Sequence, residues 1–267
     1  MKKIVALVAV LFSVVVPVQS QAAVGERIVI IDSYFDKSKI TGPVEFVCLA
    51  KDKCVNVASP KPGMGTDPVN HGTVMANIAR QQNSTATLVL IQTEEVSGGL
   101  INKVGLTGQD FLNALIWVSS NKSNISAVSF SYNLTGNAKM GECKLSTNGG
   151  IAVKAVDNNI KLAVYSLKST DIPVLAAAGN FNNKPLQYPA CLPDVISVGS
   201  TGQPTYHQKN VKVLATIINS VDNTSSMRTV SPWLGTVEFN TSAATVAVAS
   251  NWKSIPAQND KVNILYN

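Results

Sequence analysis

The sequence predicts an α/β domain built on a doubly wound, mostly parallel sheet with helices on both faces. Two observations carry this. Apolar strand-like runs alternate with longer stretches of helical periodicity along most of the chain, the pattern left by repeated strand–helix crossovers. The runs Ile28–Ile31 and Val174–Ala178 are also apolar without interruption, as strands covered on both faces must be.

In chain order, Arg27–Ile31 reads as the first strand. Val44–Leu49 and Cys54–Ala58 alternate apolar with polar around a polar turn and read as a hairpin. A helix over His71–Gln82 and a strand over Thr87–Gln92 follow. Gly108–Asn121 reads as a helix with Phe111, Leu112, Leu115, Ile116 and Val118 on one side. Ile125–Phe130 is the next strand and Gly150–Ser169 a long helix. Ile172–Ala177 and Asp194–Val198 give two more strands, and Ser242–Trp252 a last helix. Residues 205–235 break into shorter alternating stretches with turn residues, which predicts late antiparallel strands. No internal repeat or low-complexity tract divides the chain, so a single domain is expected.

The start of the chain is expected to lie outside that domain. Lys2 and Lys3 precede an apolar run from Ile4 to Val16, Pro17 breaks it, and Ser20-Gln21-Ala22 supplies small residues for cleavage. That is the layout of an export signal over residues 1–22, and the run is too short to span a bilayer. The remainder, 23–267, suits one soluble, secreted or periplasmic domain with a substantial core and no membrane segment. The formal charge of +6 includes the two leader lysines, and charged residues make up only 14% of the chain. Without clustered Lys or Arg, that balance argues against nucleic acid as a partner.

The four cysteines permit three connectivities, among which sequence does not choose. An even count in an exported chain favours pairing over free thiols, and Cys48 and Cys54 flank the turn of the expected hairpin. No Cys-x-x-Cys occurs and the two histidines, His71 and His207, are far apart, so no metal site is expected.

Four segments carry chemistry. Asp32 ends an apolar strand, and in open α/β sheets ligands sit beyond the carboxyl ends of the strands. His71 stands at the start of a helix, followed by Gly72, whose small size lets backbone approach neighbouring strands. Asn180 follows Gly179 after another apolar strand. Ser242 opens the last helical pattern, where free N–H groups and the positive helix end favour negative charge. Each has a plainer use: a turn-capping aspartate, a surface histidine, a Gly-Asn turn, a helix-capping serine. Together they supply the orienter, base, oxyanion donor and nucleophile of a serine hydrolase. The order Asp, His, Ser is that of subtilisin, and no Gly-x-Ser-x-Gly is present.

On these motifs the chain resembles the subtilisin-like serine proteases. Ile-Ile-Asp32-Ser, His71-Gly-Thr, Ala-Ala-Gly-Asn180 and Thr-Ser242-Ala-Ala are the segments that carry the likeness, which runs from about Arg27 to Trp252. The resemblance implies a subtilisin-like fold and cleavage of polypeptide substrates by a monomer without an organic cofactor. Structural calcium is compatible with it but cannot be read from the acidic residues. It implies that Ser131, Tyr132 and Asn133 form one wall of the specificity pocket and Ala177, Ala178 and Gly179 the other, favouring an uncharged side chain before the cut bond. Likeness around Tyr188-Pro189-Ala190 implies a long-range Cys143–Cys191 bridge. His207 has no motif around it and reads as structural.

Several positions depart from the family pattern. Tyr34 and Asn133 stand in place of glycines, and a ring at Tyr34 would narrow the site. Asn240 also replaces a glycine, and asparagine is the side chain most tolerant of left-handed backbone. Thr245 and Val246 replace Pro-His. The first strand begins a few residues after the export segment, leaving no room for a prodomain. Two readings follow: an exported serine endopeptidase, or a catalytically silent relative that holds peptides without cutting them. A structural envelope protein with chance motifs is a weaker third.

Overall fold

The computed structural model describes residues 25–32, 34–49, 54, 71–93, 96–97, 100–101, 106–131, 134, 143–145, 151–180, 186–201, 211–219, 228–231, 235–238, 240–255 and 261–266. The export segment, the second arm of the expected hairpin beyond Cys54, Tyr132, Asn133 and His207 lie outside the described residues.

The strands are β1 (Arg27–Asp32), β2 (Val44–Cys48), β3 (Thr87–Gln92), β4 (Val96–Ser97), β5 (Leu100–Ile101) and β6 (Ile125–Phe130), then β7 (Val174–Ala177), β8 (Ile196–Ser200), β9 (Val213–Asn219), β10 (Arg228–Ser231), β11 (Gly235–Glu238) and β12 (Lys261–Tyr266). The helices are α1 (His71–Gln82), α2 (Gly108–Ser120), α3 (Ile151–Ser169) and α4 (Thr241–Ser250). Eight strands form one sheet in the order β12-β9-β8-β7-β6-β1-β3-β2. Every pairing within it is parallel.

Alternation along each strand sorts the core into two layers. Ile28 and Ile30 of β1 and Leu88 and Leu90 of β3 pack with α1 and α4. Val29, Ile31, Val89 and Ile91 point the other way, onto α2 and α3. All ten residues of α4 are buried. Ala243, Ala244, Ala247 and Ala249 keep it thin enough to lie against both α1 and the sheet, and the buried hydroxyls of Thr245 and Ser250 donate to the carbonyls of Thr241 and Val246 within the helix. The start of α2 is fixed by a capping box. Thr107 Oγ1 accepts from the Asp110 N–H (3.2 Å) and Asp110 Oδ2 accepts from the Thr107 N–H (2.9 Å).

Chain order makes β1 the pivot. The chain lays β3 and β2 on one side of β1, then crosses to place β6, β7, β8, β9 and β12 on the other. The switch therefore lies between β1 and β6, where open α/β sheets leave a crevice at the carboxyl ends of their strands.

Two expectations change. Val44–Cys48, expected only as a hairpin arm, is a strand of the main sheet, parallel to β3 in register Val44↔Leu88, and the arm expected to pair with it lies outside the described residues beyond Cys54. All five of its residues are half-buried, and an edge strand covered on one face shows the same alternation as a hairpin arm. Cys48 is disulfide-bonded to Cys54 just beyond that strand. Within 205–235, the β10–β11 pair straddling its end is antiparallel, but β9 joins the main sheet in parallel. In β9, Val213 and Ala215 are buried while Leu214 and Thr216 are half-buried, so near the sheet edge a parallel strand alternates too. The strand β12, beside β9, was not foreseen; Lys261-Val262-Asn263-Ile264 carries the same ambiguous pattern.

Arg80 anchors the far end of α1. Its guanidinium is almost wholly buried and donates to the carbonyls of Thr41, Pro43, Ser84 and Ala86 at 2.7–2.9 Å. Burial lowers its pKa, but the ring of carbonyls holds the charge in place. Arg80→Ala removes the charged donor from the buried Ala86 carbonyl and from the carbonyls of Thr41, Pro43 and Ser84 nearer the surface, and is expected to cost about 2 kcal/mol. Urea denaturation checks this, and an unchanged midpoint would refute the anchoring role.

Candidate active site

The sheet sets two groups side by side. Ile31 of β1 is in register with Phe130 of β6, so Asp32 and Ser131, each one residue further on, stand at neighbouring strand ends on the switch point. Neighbouring strands run about 4.8 Å apart.

On the β1 side, Asp32 is fully buried and both its carboxylate oxygens lie 2.9 Å from His71 Nδ1. A carboxylate offers only acceptors, so Nδ1 carries the imidazole proton and Nε2 is the basic nitrogen. The His71 side chain is 16% exposed, enough to meet a ligand. Gly72 makes this approach possible. A Cβ there would lie 2.5 Å from the Tyr34 carbonyl oxygen and 3.1 Å from Asp32 Cβ. The Asp36 N–H donates to Thr73 Oγ1 (2.8 Å), pinning the first turn of α1 to the same segment.

On the β6 side, Ser131 and Ser242 are tied by two reciprocal bonds. The Ser242 hydroxyl donates to the Ser131 carbonyl (2.9 Å), and the Ser131 hydroxyl donates to the Ser242 carbonyl (3.2 Å). Ser242 is 7% exposed and is not the helix cap. That role belongs to Asn240, whose Oδ1 accepts from the N–H groups of Ser242 and Ala243, both at 3.1 Å. The helix consequently begins at Thr241, one residue before the predicted start.

Asn180 reaches the same helix end. Its Oδ1 accepts from the Thr241 N–H (3.2 Å) and the Thr241 hydroxyl (2.8 Å). A backbone N–H can only donate, so the amide orientation is fixed and the Asn180 NH₂ faces away from Thr241. Thr241 was not singled out from sequence; its place before Ser242 was the available signal.

The remaining expectations divide. Ala178 and Gly179 are buried and Ala177 half-buried. Gly179 has φ +95°, and a Cβ there would lie 3.1 Å from the Gln187 side chain. Sequence missed Gln187, whose Oε1 is buried there without a hydrogen-bond partner. Tyr34 does not project into the crevice: it is 1% exposed. Burial first, and then Asp36, push its pKa up to about 12. Asn240 is not left-handed either, with φ −89° and ψ −175°. Thr245, in place of the family's proline, donates its buried hydroxyl to the Thr241 carbonyl one turn back (2.7 Å). Cys143 and Cys191 are disulfide-bonded. Among the described residues no cluster of His, Cys, Asp and Glu could hold a metal ion, and no helix is long and apolar enough to cross a membrane.

The sequence profile of the subtilase family matches residues 32–263, which span all four motif segments. The chain belongs to the subtilase family. This subtilase is therefore a serine-type endopeptidase by family, and a protease of that family acts on polypeptides. Its fold is similar to that of the prenylagaramide maturation protease PagA, at 18% identity over 87% of this chain and 75% of that one, TM-score 0.54. It is similar also to a mutant of the PatA protease domain, at 16% identity over 90% and 92% of the two chains, TM-score 0.56. The nisin leader peptidase NisP from Lactococcus lactis gives 15% identity over 92% and 87%, TM-score 0.52. No curated protein matches this subtilase in sequence.

Proposed function

We propose that the protein is an exported, single-domain serine endopeptidase in which Asp32 orients His71, His71 is the base, Ser242 the nucleophile and Asn180 an oxyanion donor. The observation that supports this best is the convergence on the β1/β6 switch point. His71 is bonded to the strand end on one side, and Ser242 to the strand end on the other. In the reaction, the Ser242 hydroxyl turns from the Ser131 carbonyl to His71 Nε2 and gives up its proton as Oγ attacks the scissile carbonyl. The imidazolium that forms is held by Asp32. The carbonyl oxygen becomes an oxyanion and accepts from the Asn180 NH₂, which Thr241 keeps free for it. His71 then returns the proton to the leaving amine, and water resolves the acyl-enzyme by the same steps in reverse order.

Ser131, Tyr132 and Asn133 on one side and Ala177, Ala178 and Gly179 on the other are assigned to the specificity pocket. With no charged group among them, cleavage is expected after apolar or uncharged residues.

The ties of Ser242 to Ser131 and Asn240 favour the second reading, a silent peptide-binding relative. A fluorophosphonate distinguishes the two, because only an activated serine reacts. Labelling of Ser242 with digestion of unstructured casein is the result expected of a protease. Absence of both would leave the silent reading.

Asn180→Ala is expected to leave weak activity, with kcat reduced about 10²–10³-fold, the range for loss of one such donor, a figure obtained on subtilisin itself. Steady-state kinetics on a peptide substrate check it. An unchanged kcat would remove Asn180 from the oxyanion site.

A further inference from the structure

Ser242 carries two polar groups that a reacting carbonyl would need, its hydroxyl and its backbone N–H. Both are engaged: the hydroxyl donates to the Ser131 carbonyl, and the N–H donates to Asn240 Oδ1. The second bond exists only because position 240 has a side chain. Asn240 is not there for its backbone, since φ −89°, ψ −175° is extended geometry that any residue adopts. What it contributes is the carboxamide oxygen, which takes the N–H of Ser242 and that of Ala243 together.

We infer that Asn240 is a positioning residue that holds the Ser242 N–H in reserve, so that the site rests capped and its backbone oxyanion donor is released only when the oxyanion develops. The inference rests on the peptidase reading above. A neutral carbonyl of bound substrate competes poorly with the carboxamide, because both are uncharged acceptors and Asn240 is already in place. An oxyanion competes well, since charge-assisted bonds are roughly twice as strong. Displacing the cap subtracts from the stabilisation that donor gives the transition state, while substrate binding is unaffected. Asn240 is half-buried, so a displaced carboxamide has water to turn into.

The test compares wild type, Asn240→Gly and Asn240→Asp in the full chain, with Ser242→Ala as the blank. Glycine removes the competing acceptor at little cost to the helix end, because it is itself an acceptable cap. Asn240→Gly is expected to raise kcat about fivefold at unchanged KM, the factor that corresponds to an ordinary cap bond. It should raise the rate of fluorophosphonate labelling in parallel. Asn240→Asp keeps the cap and strengthens its grip on the N–H with a full charge, and is expected to lower kcat about tenfold. Circular dichroism confirms that each variant is folded. A kcat for Asn240→Gly at or below wild type, or for Asn240→Asp at or above it, overturns the inference while labelling that depends on Ser242 leaves the peptidase reading standing. Labelling that never depends on Ser242, in any variant, ends both.

Discussion

Ser242→Ala is expected to abolish peptide-bond cleavage and fluorophosphonate labelling while leaving the protein folded. The expected loss is on the order of 10⁶-fold in kcat, a magnitude taken from the handling of the equivalent serine in subtilisin. Stability should fall by less, about 1 kcal/mol, because the hydroxyl makes one hydrogen bond, to the Ser131 carbonyl. The Ser131–Ser242 link persists through the reversed bond, in which the Ser131 hydroxyl donates to the Ser242 carbonyl. His71→Ala should be nearly as damaging, since base and nucleophile act as a unit. Equal hydrolysis of a peptide substrate by the Ser242→Ala protein and the wild type would end the assignment.

The sequence was most legible where burial is complete. Helix His71–Gln82 and strands Thr87–Gln92 and Ile125–Phe130 have the predicted bounds. A strand covered on both faces, like β1 with its buried Ile28–Ile31, cannot hide its apolar run. Legibility fell at the sheet edges, where β2, β9 and β12 are covered on one face or lie outermost and alternate as antiparallel strands do. Position β8 slid by two residues, because Asp194 and Val195 belong to a turn that continues the apolar pattern. In the candidate site, the strand ends and helix starts that carry Asp32, His71 and Ser242 were readable, but side-chain orientation was not. The pairing of Asp32 with His71 needs only their strand end and helix start. That Asn240 caps α4, that Ser242 donates to Ser131, and that Thr241 fixes the Asn180 amide are rotamer facts with no periodic trace. Tyr34 shows the same limit: its ring turns inward, which a substitution pattern alone does not disclose.

Gly72→Ala should cripple the site from outside its chemistry. The added methyl would sit 2.5 Å from the Tyr34 carbonyl oxygen, 2.9 Å from Phe35 Cε1 and 3.1 Å from Asp32 Cβ. Ordinary contact needs about 3.5 Å, so α1 and the segment after β1 must part by about 1 Å. Two of the three atoms are backbone or Cβ, which no side-chain rotation can move aside. The segment is also held from other directions, by the Asp36–Thr73 bond and by Phe35 N–H to Gln92 Oε1. The displacement therefore falls on the start of α1, and His71 is its first residue. Overpacking of this kind costs about 1–3 kcal/mol of stability, which the large parallel core should survive. Catalysis is less forgiving, because a misplacement of about 1 Å can cost 10²-fold. The expected result is a folded protein whose kcat falls about 10²-fold with little change in KM, since none of the residues proposed for the specificity pocket is among the atoms the methyl would meet. Gly72→Ala with wild-type kcat would mean that the contact between α1 and Asp32 is not what sets the imidazole, and the base would have to be sought elsewhere.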